Sequence, residues 1–251
     1  VADFYYSAFA IGWSWGYAPS SAHHNVVEYC HIHDLGKGQL SDMGAIYTLG
    51  ISPGTRLTNN VIHDVYSYDY GGWGLYNDEG STHVLLQDNI VYNTKTGGYH
   101  QHYGKENEVR NNIFAFSKQG NIIRSREEEH ISFIFEGNIV LVDNGTVLGS
   151  NWTNDKFRMN NNIYWDVNGN DLKFSKWTFD EWKAKGQDEF SMIADPLFVD
   201  AKNFDFHIKP DSPAFRLGFK EIDTSKVGLY GPPEWTEPPK NVKREPVVLH
   251  E

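Results

Sequence analysis

Apolar residues along this chain come in short runs that alternate with polar positions, and each run is broken by Gly, Asn or Asp. A period of two marks strands, and the breakers mark turns. The segments VEYCHIHD, LTNNVIHD, LQDNIVYN, VRNNIFAF, FEGNIVLV and MNNNIYWD superpose without gaps. They place Cys30, Asn60, Asn89, Asn112, Asn138 and Asn162 at one equivalent position, at spacings of 30, 29, 23, 26 and 24 residues. No stretch inside a repeat has a helical period, so each unit reads as one turn of short strands. Such a unit buries no apolar face alone, whereas turns stacked at about 4.8 Å pair every strand with its neighbours and share one core. The pattern predicts an all-β chain folded as a parallel β-helix, a solenoid whose parallel crossovers make it right-handed. Asn at the recurring corner tolerates left-handed backbone angles, and its amide can bond to the Asn of the next turn as a ladder. Cys30 starts that ladder, which predicts a buried structural thiol.

The period fades after Trp165. WTFDEWKAKG, from Trp177 to Gly186, predicts a short C-terminal helix with Thr178 or Asp180 as its N-cap. ADPLFVDAKNFDFHIKPDSPAFRLG predicts two short strands joined by a polar turn. Residues 1–231 are therefore expected to form a single domain, followed by a Pro-rich extended tail over 232–251. Asp3 to Trp15 align with Asp34 to Gly50, so the chain opens inside a turn. Solenoid ends need covering, and the expectation is a domain truncated at its N-terminal end, covered there by a missing part of the chain or by a partner chain.

The 251 residues carry 22 basic and 33 acidic side chains, a formal charge of −11, which argues against nucleic acid or an anionic membrane as the partner. A single cysteine excludes an internal disulfide and a thiolate metal cluster. No apolar run approaches the roughly 18 residues of a membrane span, and the opening residues lack a signal-peptide pattern. Aromatic residues make up 15% of the chain, with 8 Trp and 14 Tyr, which suits surfaces that are half apolar and half wet.

Along a solenoid, one side chain per turn stacks into an outward column. Aligning the strands AIGWSWG, AIYTLG, GLYNDEG, YHQHYG and NIIRSRE predicts a column of Trp13, Thr48, Asp78, His102 and Arg124, with Tyr76 and His100 on the same face. The first corners, DLGKGQLSDMG and DVYSYDYGGWG, exceed the later ones by about five residues and read as cleft walls carrying Asp42, Asp69 and Trp73; Glu79 follows the column. Glycoside cleavage needs two carboxyl groups about 5–5.5 Å apart for retention or 6.5–9.5 Å for inversion, and adjacent turns supply either. Asp78 stands out because Asp is disfavoured within a strand. Asp64, Asp88, Asp143 and Asp166 read as turn formers. His100 and His102 at i, i+2 near a carboxylate suit a metal as well as a dense sugar-binding site; the second reading is preferred, and neither metal nor cofactor is expected. Phosphate loops, a nucleophile elbow and zinc-finger spacings are missing.

The segments HHNVVEYCHIHDLGKGQLSDMGAIYTLGISPGT, YSYDYGGWGLYNDEGST and GGYHQHYGKENEVRNNIFAFSKQGNIIRSREEEH resemble right-handed parallel β-helix proteins of carbohydrate-degrading bacteria, and glycoside hydrolase family 141 in particular. The resemblance covers about two thirds of the chain if ADPLFVD and KPDSPAFRLG are included. It implies a secreted or periplasmic enzyme acting on plant or algal polysaccharide, with α-L-fucosidase and xylanase activities known in the family. It also implies a catalytic pair of Asp, matched here by Asp42 in SDMGAIY and Asp78 in NDEGS. The expectation is a glycosidase using Asp78 and Asp42 with Glu79 in reserve. Trp13, Trp73, Tyr76, His100, His102, Arg124 and Asp69 would bind a polysaccharide or oligosaccharide. Two rivals stand beside it. One is a uronate lyase with Arg124 neutralising the substrate carboxylate and His102 or Tyr103 taking the proton; the other is a noncatalytic glycan-binding solenoid.

Overall fold

The computed structural model describes residues 1–249 and shows an all-β parallel β-solenoid. Three parallel sheets run the length of it. The first contains Phe9–Gly12, Gly44–Leu49, Trp73–Asn77, Gly97–Gln101, Ile122–Arg124, Thr146–Ser150 and Lys173–Phe174, each paired with the strand before it in this series. The second runs from His31–Leu35 to Met192–Ile193 and the third from Val26–Glu28 to Arg158–Asn160, with the same order. Because partners are always the equivalent strands of consecutive turns, like positions stack. Ile32, Ile62, Val91, Phe114, Val140 and Tyr164 form one interior column, all fully buried.

The recurring asparagines hold this register. The Oδ1 of Asn89 accepts from both the backbone N–H and the side-chain amide of Asn60, each at 3.0 Å, and Asn112, Asn138 and Asn162 do the same for the turn before them. Each amide also donates to a backbone carbonyl of the preceding turn, as Asn112 does to Leu86 at 3.0 Å. The ladder residues are fully or almost fully buried, and their amides meet the rule that buried polar groups need partners. The left-handed backbone sits one residue earlier than expected. Tyr29, Asn59, Asp88, Asn111, Gly137 and Asn161 have φ between 53° and 65°, and this kink turns the following side chain inward. Cys30 starts the ladder through its N–H to Asn60 at 3.0 Å, yet its thiol is half-buried rather than buried; partial desolvation pushes the thiol pKa up.

At the far end the ladder finishes on Asp188, a fully buried carboxylate that accepts from Asn162, Tyr164, Trp182 and Ser191. Trp182 belongs to the helix Phe179–Ala184, whose N-cap Thr178 forms a capping box with Glu181. The strands Phe198–Asp200 and Asp205–Ile208 pair antiparallel beyond it. In the tail, Pro233–Lys240 is a helix, which corrects the expectation of extended chain there. Pro233 takes the first helical position, where a missing N–H costs nothing, and Glu237 pairs with Lys240 at 2.8 Å. Arg244 then reaches back to Asp3 at 2.7 Å and Asp34 at 3.0 Å. Residues 250 and 251 of the tail lie outside the described residues.

On the outer face of the second sheet, His33 stacks on His63 (5.0 Å between ring centroids) and His63 on Tyr92 (4.7 Å), while His31 Nε2 meets His63 Nε2 at 2.8 Å. Burial, then the neighbouring imidazoles, pull the His31 pKa down to about 3, and burial lowers that of His33.

Two outcomes follow for stability. Asn112→Ala strands the Asn89 N–H and amide and the Leu86 carbonyl in a dry interior, so urea denaturation should show a loss of about 3 kcal/mol or more. For His31 and His33, the folded pKa lies below the unfolded value of about 6.5. The unfolded chain therefore binds protons that the fold refuses, and stability drops as pH falls below about 6.5. The melting temperature should decline between pH 7 and 4.5, and His31→Gln should flatten that decline.

Candidate functional site

The first sheet carries the site, and its register differs from the expected one by a single residue. Thr48 pairs with Asn77, Asn77 with Gln101, and Gln101 with Arg124. This is an inward column, and all four side chains are fully buried. The outward column is Tyr47, Tyr76, His100 and Ile123. Asp78 and His102 belong to neither, since each is the first residue beyond its strand. A shift of one residue exchanges faces along a strand: Thr48 and Arg124 share a column, Asp78 and His102 fall one residue beyond it, and Trp13 lies two residues past Ile11, the partner of Thr48, so the expected row does not exist. Asp78 also escapes the strand rule that singled it out. Its N–H bonds to Thr48 O at 2.9 Å as the strand ends, and its own carbonyl accepts from Ser81 in the turn that follows.

A cavity of about 670 Å³ opens over the outward column and gathers most of the expected residues: Asp42, Asp78, Glu79, Trp73, Tyr76, His100 and His102 all line it. Tyr76 stacks on His100 at 4.8 Å, and Trp73 and Tyr47 pack against Tyr76 as tilted rings, each at 4.3 Å. Gly44 makes this packing possible, because a Cβ there would lie 2.7 Å from the Tyr76 Cβ. Trp13 lies at the edge, 4.9 Å from Tyr47 and 38% exposed, with φ +87°. That angle is rare for a bulky residue, and such strain concentrates at working sites.

The two aspartates meet around Tyr76. Asp42 Oδ1 accepts from the Tyr76 hydroxyl at 3.2 Å, and Asp78 Oδ2 accepts from Tyr47 at 2.5 Å while also contacting Tyr76. Asp42 sits in the first long corner with φ +54°, its N–H on Tyr70 O at 2.9 Å and its carbonyl taking the Tyr6 hydroxyl at 2.7 Å. Burial, and after it the charge of Asp78, raises the Asp42 carboxyl pKa above its ordinary value. The same burial and carboxylates push the phenols of Tyr47 and Tyr76 up, so both remain donors. Glu79 accepts from Tyr103 at 3.0 Å, and burial with this bond raises the Tyr103 phenol to about 12. His100 is 3% exposed and held neutral by burial and by His102; both rings contact the Ser125 hydroxyl, at 2.8 and 2.7 Å. No group of three or more potential ligands that could hold a metal is present among the described residues.

Three expected residues, Trp13, Arg124 and Asp69, do not line the cavity. Arg124 points into the solenoid, fully buried, with its guanidinium 5.4 Å from the Trp152 ring and 4.6 Å from that of Phe157. It donates to Asn151 O at 2.9 Å and Glu127 at 3.0 Å. Its position in the paired register, not its charge, decided that. Asp69 lies on the long second corner as expected, but its side chain does not line the cavity, and its carbonyl is tied to Lys95. Conversely, Tyr47, Tyr70 and Ser125 were missed. Tyr47 carried a usable signal, because it precedes Thr48 and faces outward once the register is shifted.

No protein-family model matches the chain, and neither a curated protein nor a solved structure shows significant similarity to it.

Arg124→Met keeps the volume but strands the Asn151 carbonyl and leaves Glu127 without its cation. Stability measured by denaturation should fall by about 2 kcal/mol, while affinity for a ligand in the cavity should be unchanged within twofold. A loss of affinity with stability intact would put Arg124 back in the site.

Proposed function

We propose that the chain is a glycoside hydrolase acting on a polysaccharide or its oligosaccharides, with Asp42 as the proton donor and Asp78 as the second carboxylate. The observation that carries this reading is the pair of carboxyl groups around one phenol in an aromatic cavity, one of them with its pKa raised. Acid catalysis of a glycosidic bond needs a carboxyl that keeps its proton near the working pH beside one that does not. Desolvation of Asp42 and repulsion by Asp78 favour that division. Both carboxyl groups line the one cavity, with Tyr76 bonded to Asp42 and Tyr47 to Asp78. Trp73 and the partly exposed Trp13 offer flat faces for sugar rings, and His100, His102 and Ser125 offer hydrogen bonds to hydroxyls.

The reading agrees with the resemblance to glycoside hydrolase family 141, from which Asp42 and Asp78 were matched, and with a secreted or periplasmic bacterial enzyme. The uronate lyase is the weaker reading. Its cation, Arg124, is inside the solenoid, and the cavity wall carries the carboxyl groups of Asp78 and Glu79 and no Lys or Arg to neutralise an anionic sugar.

Release of reducing sugar from a panel of neutral polysaccharides tests this. Asp78→Asn and Asp42→Asn should each cut the rate at least about a hundredfold with the fold retained. The wild-type rate should persist above pH 4 and fall on the alkaline side as Asp42 loses its proton. Full activity in Asp78→Asn removes the assignment, and ultraviolet absorbance from an unsaturated uronate product selects the lyase.

A further inference from the structure

Lys95 is a buried cation, 6% exposed, at the corner of the third turn. Its ammonium donates to Ser67 O at 3.3 Å, Tyr68 O at 2.8 Å and Asp69 O at 2.7 Å, so its three N–H groups meet three successive carbonyls of the second long corner. The backbone adds to the grip. The Lys95 N–H lies 3.1 Å from Gly72 O, and the Thr96 hydroxyl bonds to Gly71 O. Neutral carbonyls offset the desolvation of an ammonium less well than a carboxylate does. The arrangement is an expensive way to fill space and an effective way to fix a loop.

That loop is the template for the first long corner. Tyr68 N–H bonds to Leu40 O at 2.9 Å, Asp69 N–H to Ser41 Oγ at 3.1 Å, Asp42 N–H to Tyr70 O at 2.9 Å and Gly72 N–H to Met43 O at 2.8 Å. Tyr70 and Asp42 line the same wall of the cavity. Asp42 therefore has its backbone held by the segment that Lys95 clamps.

We propose that Lys95 is a positioning residue for the cleft: by holding the carbonyls of residues 67–69 it places the Asp42 carboxyl against Asp78 and Tyr76. The inference rests on the reading of Asp42 as the proton donor. A displacement of the order of 1 Å at a reacting group costs about a hundredfold in rate, so a loop clamp outside the cavity has leverage on turnover.

The test is Lys95→Met, which keeps an unbranched apolar stem of similar volume and removes the donors, compared with wild type on the most active polysaccharide and by NMR titration of carboxyl-labelled Asp42. The expected result is a fall in kcat of tenfold or more with KM changed less than twofold, and an Asp42 titration moved toward that of an ordinary carboxyl. In Lys95→Ala, added methylammonium should restore part of kcat. A folded Lys95→Met with unchanged kcat, pH profile and Asp42 titration overturns the proposal, as does a loss of melting temperature with kcat per folded molecule intact. If Lys95→Met does not fold, Thr96→Val, which removes the neighbouring clamp on Gly71, is read in the same way. If the wild type cleaves no glycan, the glycosidase reading fails on its own. The Asp42 titration then still decides about Lys95, a shift in Lys95→Met supporting the clamp and no shift refuting it.

Discussion

The buried amide of the recurring asparagine is the interaction on which the rest of this structure depends. Each one from Asn89 onward joins three successive turns, accepting twice from the turn before and donating to it and to the turn after, as Asn112 does. In a dry interior an unmatched amide costs more than a matched one contributes. The ladder therefore penalises any slip of one turn against the next, and strand register along the solenoid becomes a single cooperative choice. Ending the series on Asp188, with its four donors, closes the last acceptor positions where no further asparagine follows.

Register in turn decides which residues can do chemistry. With Asn60, Asn89 and Asn112 locked, Tyr47, Tyr76 and His100 face outward and pack as a row of rings, while Thr48, Asn77, Gln101 and Arg124 turn inward. The aromatic row removes water from the floor of the cavity, and the long corners bring Asp42 over it. The perturbed Asp42 carboxyl is a product of that placement: desolvation and a neighbouring charge act on it because the turns stack where they do.

The repeat, the capped helix at Phe179–Ala184 and the hairpin near the end were all legible, because each rests on local chemistry: a breaker every turn, a Thr or Asp able to cap the helix, a polar turn between apolar runs. The site was legible in part. Asp42, Asp78, Trp73 and His100 come together because they occupy corners and strand ends of adjacent turns, which the repeat already located. Arg124 and Asp69 were misplaced for different reasons. Arg124 does share a column with Thr48, but that column faces the interior and not the solvent, and facing along a strand changes with a single residue. Asp69 lies on a long loop, whose course depends on a lysine from the next turn.

The amino-acid sequence by itself determined the class of fold, since a stack of equivalent turns follows from a periodic pattern of apolar residues and one amide per period. It also determined the types of group available for chemistry: carboxylates, imidazoles and broad aromatic rings. Only the tertiary structure decided which of them share a cavity, which arginine is buried and which carboxyl has its pKa raised. Facing alternates with every residue along a strand and a carboxyl responds to what surrounds it, so both depend on contacts between turns 23 to 30 residues apart.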